Sequence, residues 1–427
     1  MTIKYSGAGD TIRLTQLLGD LRILVILFIS FRLMLMMIYQ PMLIDNVERG
    51  LGAQGDRLYH WQLASLTEDG QYPFSDWWSE FPPVWYFMTT TVYQLQGEGV
   101  NYSGWSMAMG MIVLLFDVGN LLLMRAIGTQ LYGKNVGMSL AWIYALCLAP
   151  MVFIFWNFET LVAFFLLLGL YLLLRKRHDS SAVAVALGAL TKFTPALLFG
   201  AVIRFREPKV AVRYIAIAMG LFVLAYLPLF AQNAEMTLPS LTAQFSKSSY
   251  QTVWAVIDGN YITGNFGTVE SHFDPDAAND LSGEPAVIPS FVRLAVAGAI
   301  GIFVYLRTRR FDDRGVVAFT GITLFIFFLQ AQGWSPQWLV QIIPLILLVF
   351  PTRNGVLAVV VLSMTVFFEY PVLFIRTGET AGEIFGPLIP PFIAAVLVRT
   401  AILVSVCIAY YGVLRQEPVP QMMEGDK

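Results

Sequence analysis

The sequence predicts an all-α, polytopic membrane protein, and three observations predict it. Hydrophobic residues make up 57% of the 427 positions and charged residues only 13%, with a mean hydropathy of +0.64, a balance foreign to a water-soluble domain of this length. Apolar runs long enough to cross a hydrocarbon core of ~30 Å as helices recur along the whole chain. Continuous runs such as LVAFFLLLGLYLLL at residues 161–174 lack the alternation of a transmembrane β-barrel, which leaves helices as the spanning element.

Lysine and arginine then order the elements. The positive-inside rule sets Lys4, Arg13 and Arg22, Arg125 and Lys134, Arg175–His178, Arg204–Lys209, Arg307–Arg314, Arg353 and Arg415 on the cytoplasmic side. The first helix, Arg22–Leu43, has no small-residue cleavage site behind it and exceeds a signal-peptide core, so it reads as retained. It leads into an external loop, Asp45–Ser103. Inside that loop FPPVWYFMTTTVYQL (residues 81–95) is apolar, but a crossing there would put Arg125 and Lys134 outside. It is expected to lie at the outer interface, with Trp77, Trp78, Trp85, Tyr86 and Tyr93 at the headgroup level.

Helices follow near Trp105–Ala126, Val136–Phe155 and Leu161–Leu174. Ser181–Ile203 has basic clusters on both sides and is barely long enough for one crossing. Its centre, LTKFTP, places Lys192 and Pro195 at a turn between two short helices, with Lys192 at the outer tip. Val210–Phe230 exits into a second external loop, Ala231–Pro289, rich in acid, Gly, Asn and Pro. Helices near Ser290–Leu306, Gly315–Leu329, Trp338–Phe350, Gly355–Phe374 and Pro390–Leu414 complete about twelve membrane helices, two of them short, with both termini in the cytoplasm. The whole of 1–427 reads as one integral membrane domain carrying external loops 45–103 and 231–289. No repeat of fixed period stands out.

Charge and cysteine usage narrow the function classes. A net charge of -2 without a basic aromatic patch gives no footprint for nucleic acid. Cys147 and Cys407 both fall in apolar runs, where they serve as small hydrophobes.

The first loop carries chemistry of a particular kind. GDRLYHW at Gly55–Trp61 with EFPPVWY at Glu80–Tyr86, WNFETL at Trp156–Leu161, GALTKFTPALL at Gly188–Leu198 and SPQWLVQIIPL at Ser335–Leu345 fall in that order, each expected at the same outer face. This arrangement resembles the GT-C superfamily of membrane glycosyltransferases, which use polyprenyl-phosphate-linked sugars. Within it, the chain is similar to polyprenyl-phosphomannose-dependent mannosyltransferases such as those that build phosphatidylinositol mannosides. The resemblance implies a donor of that kind, a lipid or glycolipid acceptor and an inverting displacement in which Asp56, the early loop Asp, is the general base. It implies no metal or other cofactor, and it leaves the acceptor open.

Each candidate also has a plainer reading. An ionised loop carboxylate can take the acceptor proton, yet Asp56 also stands where a residue caps the helix starting near Leu58. Glu80 either orients the acceptor, pairs with a cation, or is a solvated loop carboxylate. His60 lies one turn beyond Asp56, a position where a histidine is commonly a spectator. Tyr59, Trp77 and Trp78 complete the candidate substrate contacts of this loop.

Phosphate departure calls for cations. Lys192, in an apolar segment, marks a site by its cost, and Arg399 and Arg293 are the further candidates, although each could instead pair with Asp117 or Glu369. Asn157, Glu159, Gln332, Trp334 and Gln337 at outer turns suit sugar hydroxyls, or else are helix caps beside an aromatic belt. HFDPDAAND at His272–Asp280 is spaced loosely like a calcium loop but lacks its full ligand series and central Gly. A transporter or flippase of lipid-linked sugars is the competing class, disfavoured because its site would lie near the bilayer midplane. A non-catalytic scaffold subunit is the third.

Overall fold

The computed structural model describes residues 2–3, 12–39, 42–44, 47–49, 55–97, 99–147, 158–264, 267–280, 283–377 and 382–417. Apart from two antiparallel strand pairs of two and three residues near the start, the regular structure is helical. Among the described residues six helices are long and apolar enough to cross a membrane: Tyr102–Tyr132, Pro208–Gln232, Ser290–Arg307, Asp313–Gln330, Arg353–Tyr370 and Gly386–Arg415. The apolar helix Leu21–Tyr39 precedes them. The remaining apolar helices are shorter, namely Glu159–Leu174, Thr194–Phe205 and Pro336–Val349.

Local chemistry sets the boundaries. Asn101 caps Tyr102–Tyr132 by accepting from the Gly104 amide at 2.8 Å, and Asp312 caps Asp313–Gln330 through the Gly315 amide at 2.8 Å, each satisfying a donor that the first helical turn leaves open. Gly133, at φ 89°, turns the chain sharply into Lys134–Leu146. The returning helix packs closely because a Cβ on Gly137 would collide with Thr129 and the Arg125 carbonyl. The second half of the expected Val136–Phe155 helix lies outside the described residues.

The expected two short helices are present. His178–Ala189 stops before the turn that carries Lys192, and the chain resumes through a 3-10 turn, Thr194–Leu197, into Leu198–Phe205. Pro195 sits at the start of that turn, where its missing amide costs nothing.

Burial separates centre from periphery. Every residue of Leu339–Val349 is buried, Pro344 included, as a helix apolar on all sides requires. Around it pack Glu159–Leu174, Asp313–Gln330 and Arg353–Phe367. By contrast Ser290–Arg307 and Pro208–Gln232 leave Phe291, Leu294, Ile302, Val212, Leu224 and Leu227 exposed, faces that match lipid rather than water.

Several charges inside this apolar body are paired. Arg32 and Asp117 meet at 2.5 Å, with the Tyr144 hydroxyl donating to the other Asp117 oxygen at 2.5 Å. Lys192 pairs with Glu159, and Arg399 with Glu369. Asp117 is thus the partner of Arg32, not of Arg293 or Arg399.

Candidate functional site

The two long loops expected to be external meet each other. Trp78 is the joint: its indole Nε1 donates to the carbonyls of Ser271 and Asp274 at 2.9 and 2.8 Å, and its ring stacks on His272 with centroids 4.2 Å apart. His272 Nδ1 donates to the Trp78 carbonyl at 2.5 Å, while Nε2 accepts from the Tyr59 hydroxyl, a pattern that only a neutral imidazole can complete. Burial holds its pKa below the ordinary histidine value. Asp274, from the segment weighed as a calcium loop, caps a 3-10 turn by accepting from the Asp276 amide at 3.0 Å.

This docking corrects one expectation. Trp77, Trp78, Trp85, Tyr86 and Tyr93 are all at most 5% exposed and pack on one another and on neighbouring aromatics. The loop folds back to bury its rings, which removes more apolar surface from water than a shallow position among headgroups. His60 lies within the same cluster, ringed by Tyr59, Trp85, Tyr86 and Phe158. Burial, helped by His272, pushes its pKa down to about 3, so its ring is neutral at physiological pH.

Asp56 occupies the first turn of Gly55–Ser65 and is only partly buried. Its Oδ2 accepts from Gln337 Nε2 at 3.2 Å, which joins the first motif to the last across the length of the chain. Glu80 is buried and bonded to Lys247 Nζ at 2.6 Å, with Gln244 Nε2 at 3.4 Å. Burial pushes the Lys247 ammonium down, but Glu80, Tyr250 and Asp56 outweigh it and its pKa lies above the ordinary lysine value. Tyr250 responds oppositely: burial raises its phenol, and Lys247 and a hydrogen bond with Ser335 offset part of the rise.

Lys247 and Tyr250 also form part of the wall of a cavity of about 400 Å³, together with Lys192, Arg293, Gln332 and Trp338. The three cations differ in what they already hold. Lys192 is bonded to Glu159, whose other oxygen accepts from Gln341 Nε2 at 2.5 Å, and its ammonium lies 4.8 Å from the Trp338 ring centroid. Lys247 is bonded to Glu80. Arg293 is 3% exposed, and its Nε and Nη1 have no hydrogen-bond partner among the described residues. Among the described residues its side-chain hydrogen bonding is limited to one long contact, Nη2 to Gln332 Oε1 at 3.5 Å. Phe245, Phe291 and Leu294 extend the wall towards the lipid-facing surface.

Of the other expected residues, Gln332 lies at the cavity and its side chain donates to the Gln244 carbonyl at 2.8 Å. Trp334 is buried against Phe328 and Trp338. Arg399, expected at the donor phosphate, is absent from the cavity wall and engaged with Glu369. Asn157 lies outside the described residues. Lys247 and Tyr250 were not foreseen, although one signal was available: Lys247 is the sole lysine or arginine between residues 231 and 289, a cation where the positive-inside rule predicts few.

Fold and site together define a multi-pass membrane protein with a cation-lined cavity beside carboxylates. The chain belongs to glycosyltransferase family 87: the family's sequence profile matches residues 81–331, more than half of it. That membership is in keeping with the GT-C-type membrane glycosyltransferase the motifs implied. Lys192, Lys247 and Arg293 fall within the matched span, whereas Asp56 and Gln337 fall outside it.

Similar solved structures include ArnT from Cupriavidus metallidurans in the apo state (13% identity, TM-score 0.46, 92% of this chain and 77% of that one). Another is the Archaeoglobus fulgidus oligosaccharyltransferase in the apo form (12% identity, TM-score 0.42, 93% of this chain). The chain spans 57% of the length of the latter. No curated protein matches the sequence.

Proposed function

We propose that the protein transfers a hexose, mannose by the resemblance of its motifs, from a polyprenyl-phosphate donor to a lipid or glycolipid acceptor on the extracytoplasmic face of the cytoplasmic membrane. The observation that carries this reading is the cavity itself, where three cations face a space that opens along apolar side chains towards the lipid-facing surface. A phosphate with a long apolar tail satisfies both at once. Arg293 stands in its wall with two buried guanidinium nitrogens that lack a hydrogen-bond partner among the described residues, in keeping with the preference of phosphate for fork-shaped donors.

On this reading Asp56, held by Gln337, accepts the proton of the acceptor hydroxyl. That oxygen attacks the anomeric carbon from the face opposite the phosphate, and the carbon–oxygen bond to phosphate breaks with its electron pair leaving on polyprenyl phosphate. The configuration inverts. The departing phosphate already carries charge, so fixed cations suffice to stabilise it. Lys247, bonded to Glu80 and within electrostatic reach of Asp56, links the acidic and cationic halves of the site. Loop 45–103 is the active-site loop, loop 231–289 its partner, and both termini are cytoplasmic.

The test is sugar transfer by purified protein in nanodiscs, from polyprenyl-phosphomannose to an extracted native-lipid mixture, with wild type beside Asp56→Asn. Loss of about 10²–10⁴-fold in the variant is expected of a general base. Equal rates in the two proteins would remove Asp56 from the mechanism, and transfer by the wild type only from another polyprenyl-linked sugar would replace mannose.

A further inference from the structure

The Arg399–Glu369 pair lies behind the cavity wall, yet one of its bonds is not to a charge. Arg399 Nη1 meets Glu369, Nη2 donates to the main-chain carbonyl of Gln251, and the guanidinium carbon lies 4.4 Å from the Trp334 ring centroid. Gln251 is held at φ +50°, in the left-handed region that side-chain-bearing residues seldom occupy. Such a conformation persists only when its surroundings impose it.

The bonds that impose it are on either side. Tyr250 N donates to the Gln332 carbonyl at 3.1 Å, and Trp334 N to the Tyr250 carbonyl at 3.1 Å. Thr252 Oγ1 shares the Gln332 carbonyl at 2.9 Å, and Gln251 Oε1 accepts from the Gly264 amide at 3.0 Å. The result is a short segment with Lys247 and Tyr250 on the cavity side and Arg399 on the other. Glu369 itself stands in a π-helical stretch, Phe368–Leu373, broken at Tyr370, a local irregularity that sites more often retain than ordinary helices do.

We propose that the Arg399–Glu369 pair is a positioning device that, through the Gln251 carbonyl, holds residues 247–252 so that Lys247 and Tyr250 face the donor. This rests on the reading of the cavity as the donor site. Arg399 therefore acts one layer behind the substrate: it touches no reacting atom, and its substitution changes donor affinity by releasing the segment.

Arg399→Lys separates this from simple neutralisation of Glu369. Lysine keeps the charge but has no planar fork with which to reach a carboxylate and a carbonyl together. The double variant Glu369→Gln/Arg399→Met removes both charges, so no unpaired ion remains to unfold the protein. Hydrogen exchange of the full-length protein in nanodiscs, followed for the peptide that contains residues 248–252, reads the device without any substrate.

In both variants exchange there should quicken at least tenfold while Gly55–Ser65 is unchanged, and KM for polyprenyl-phosphomannose should rise more than tenfold with kcat within about threefold. Unchanged exchange and KM in Arg399→Lys and in the double variant would overturn the proposal and leave the pair as accommodation of buried charge. If wild type fails to transfer from this donor, the reading of the cavity fails, whereas the exchange comparison still decides whether the pair holds the segment.

Discussion

At the scale of single residues, the three cavity cations should behave differently because their partners differ. Arg293 has guanidinium nitrogens to spare, so Arg293→Gln should raise KM for the lipid-linked donor about 10–100-fold, the value of one or two charged hydrogen bonds, with folding unaffected. Titration calorimetry with the donor checks this directly. Lys192 is bound to a carboxylate whose side chain is 2% exposed, so Lys192→Met should leave the Glu159 charge without its cation and cost about 3–5 kcal/mol of stability. The pair Lys192→Met/Glu159→Gln should recover most of that in a thermal-shift measurement. Lys192 was legible in the sequence as a costly charge in an apolar run, but its partner was not, since the residues lie far apart in the chain and meet only through tertiary packing. Arg399 illustrates the same limit: sequence shows that a buried arginine needs a partner, not whether that partner is a ligand or a glutamate.

At the scale of elements, the contact between the two long loops is the part that sequence concealed. The first loop announces itself by its motif, while the second carries its contribution in an isolated lysine and a histidine that look unremarkable in their own segments. Their junction should make the protein acid-labile. Burial lowers the pKa of both His60 and His272, so the folded state binds fewer protons than the unfolded chain, whose histidines titrate near ~6.5. The stabilisation is complete above that pH and declines below it, by about 1.4 kcal/mol per pH unit for each ring still neutral, until the folded pKa is reached. The melting temperature in detergent should therefore fall between pH 7 and pH 5, and His272→Gln should flatten that slope. The glycine before Trp334 offers a second test on this scale. A Cβ at Gly333 would run into the Tyr250 ring, so Gly333→Ala should push Tyr250 from the cavity wall and weaken donor binding severalfold while the transmembrane helices remain intact by circular dichroism.

At the scale of the whole molecule, composition and charge distribution were enough for the fold class and the two short helices around Lys192, because those depend on apolar length and loop charge alone. They could not show that the aromatic loop would bury its rings, which depends on what the second loop brings to it. The short central helices carry one more implication. At 1.5 Å per residue Glu159–Leu174 extends about 24 Å, less than the ~30 Å of an average hydrocarbon layer, and its polar N-terminal residue is bonded to Lys192 at the cavity. On the topology proposed above, which sets its other end near the inner boundary, the floor of the cavity is sunk beneath the outer surface of the bilayer, so the sugar is drawn down to the catalyst rather than lifted out to it. Turnover should then follow acyl-chain length, falling in thick membranes whose outer headgroups stand too far above that floor and recovering in thinner ones.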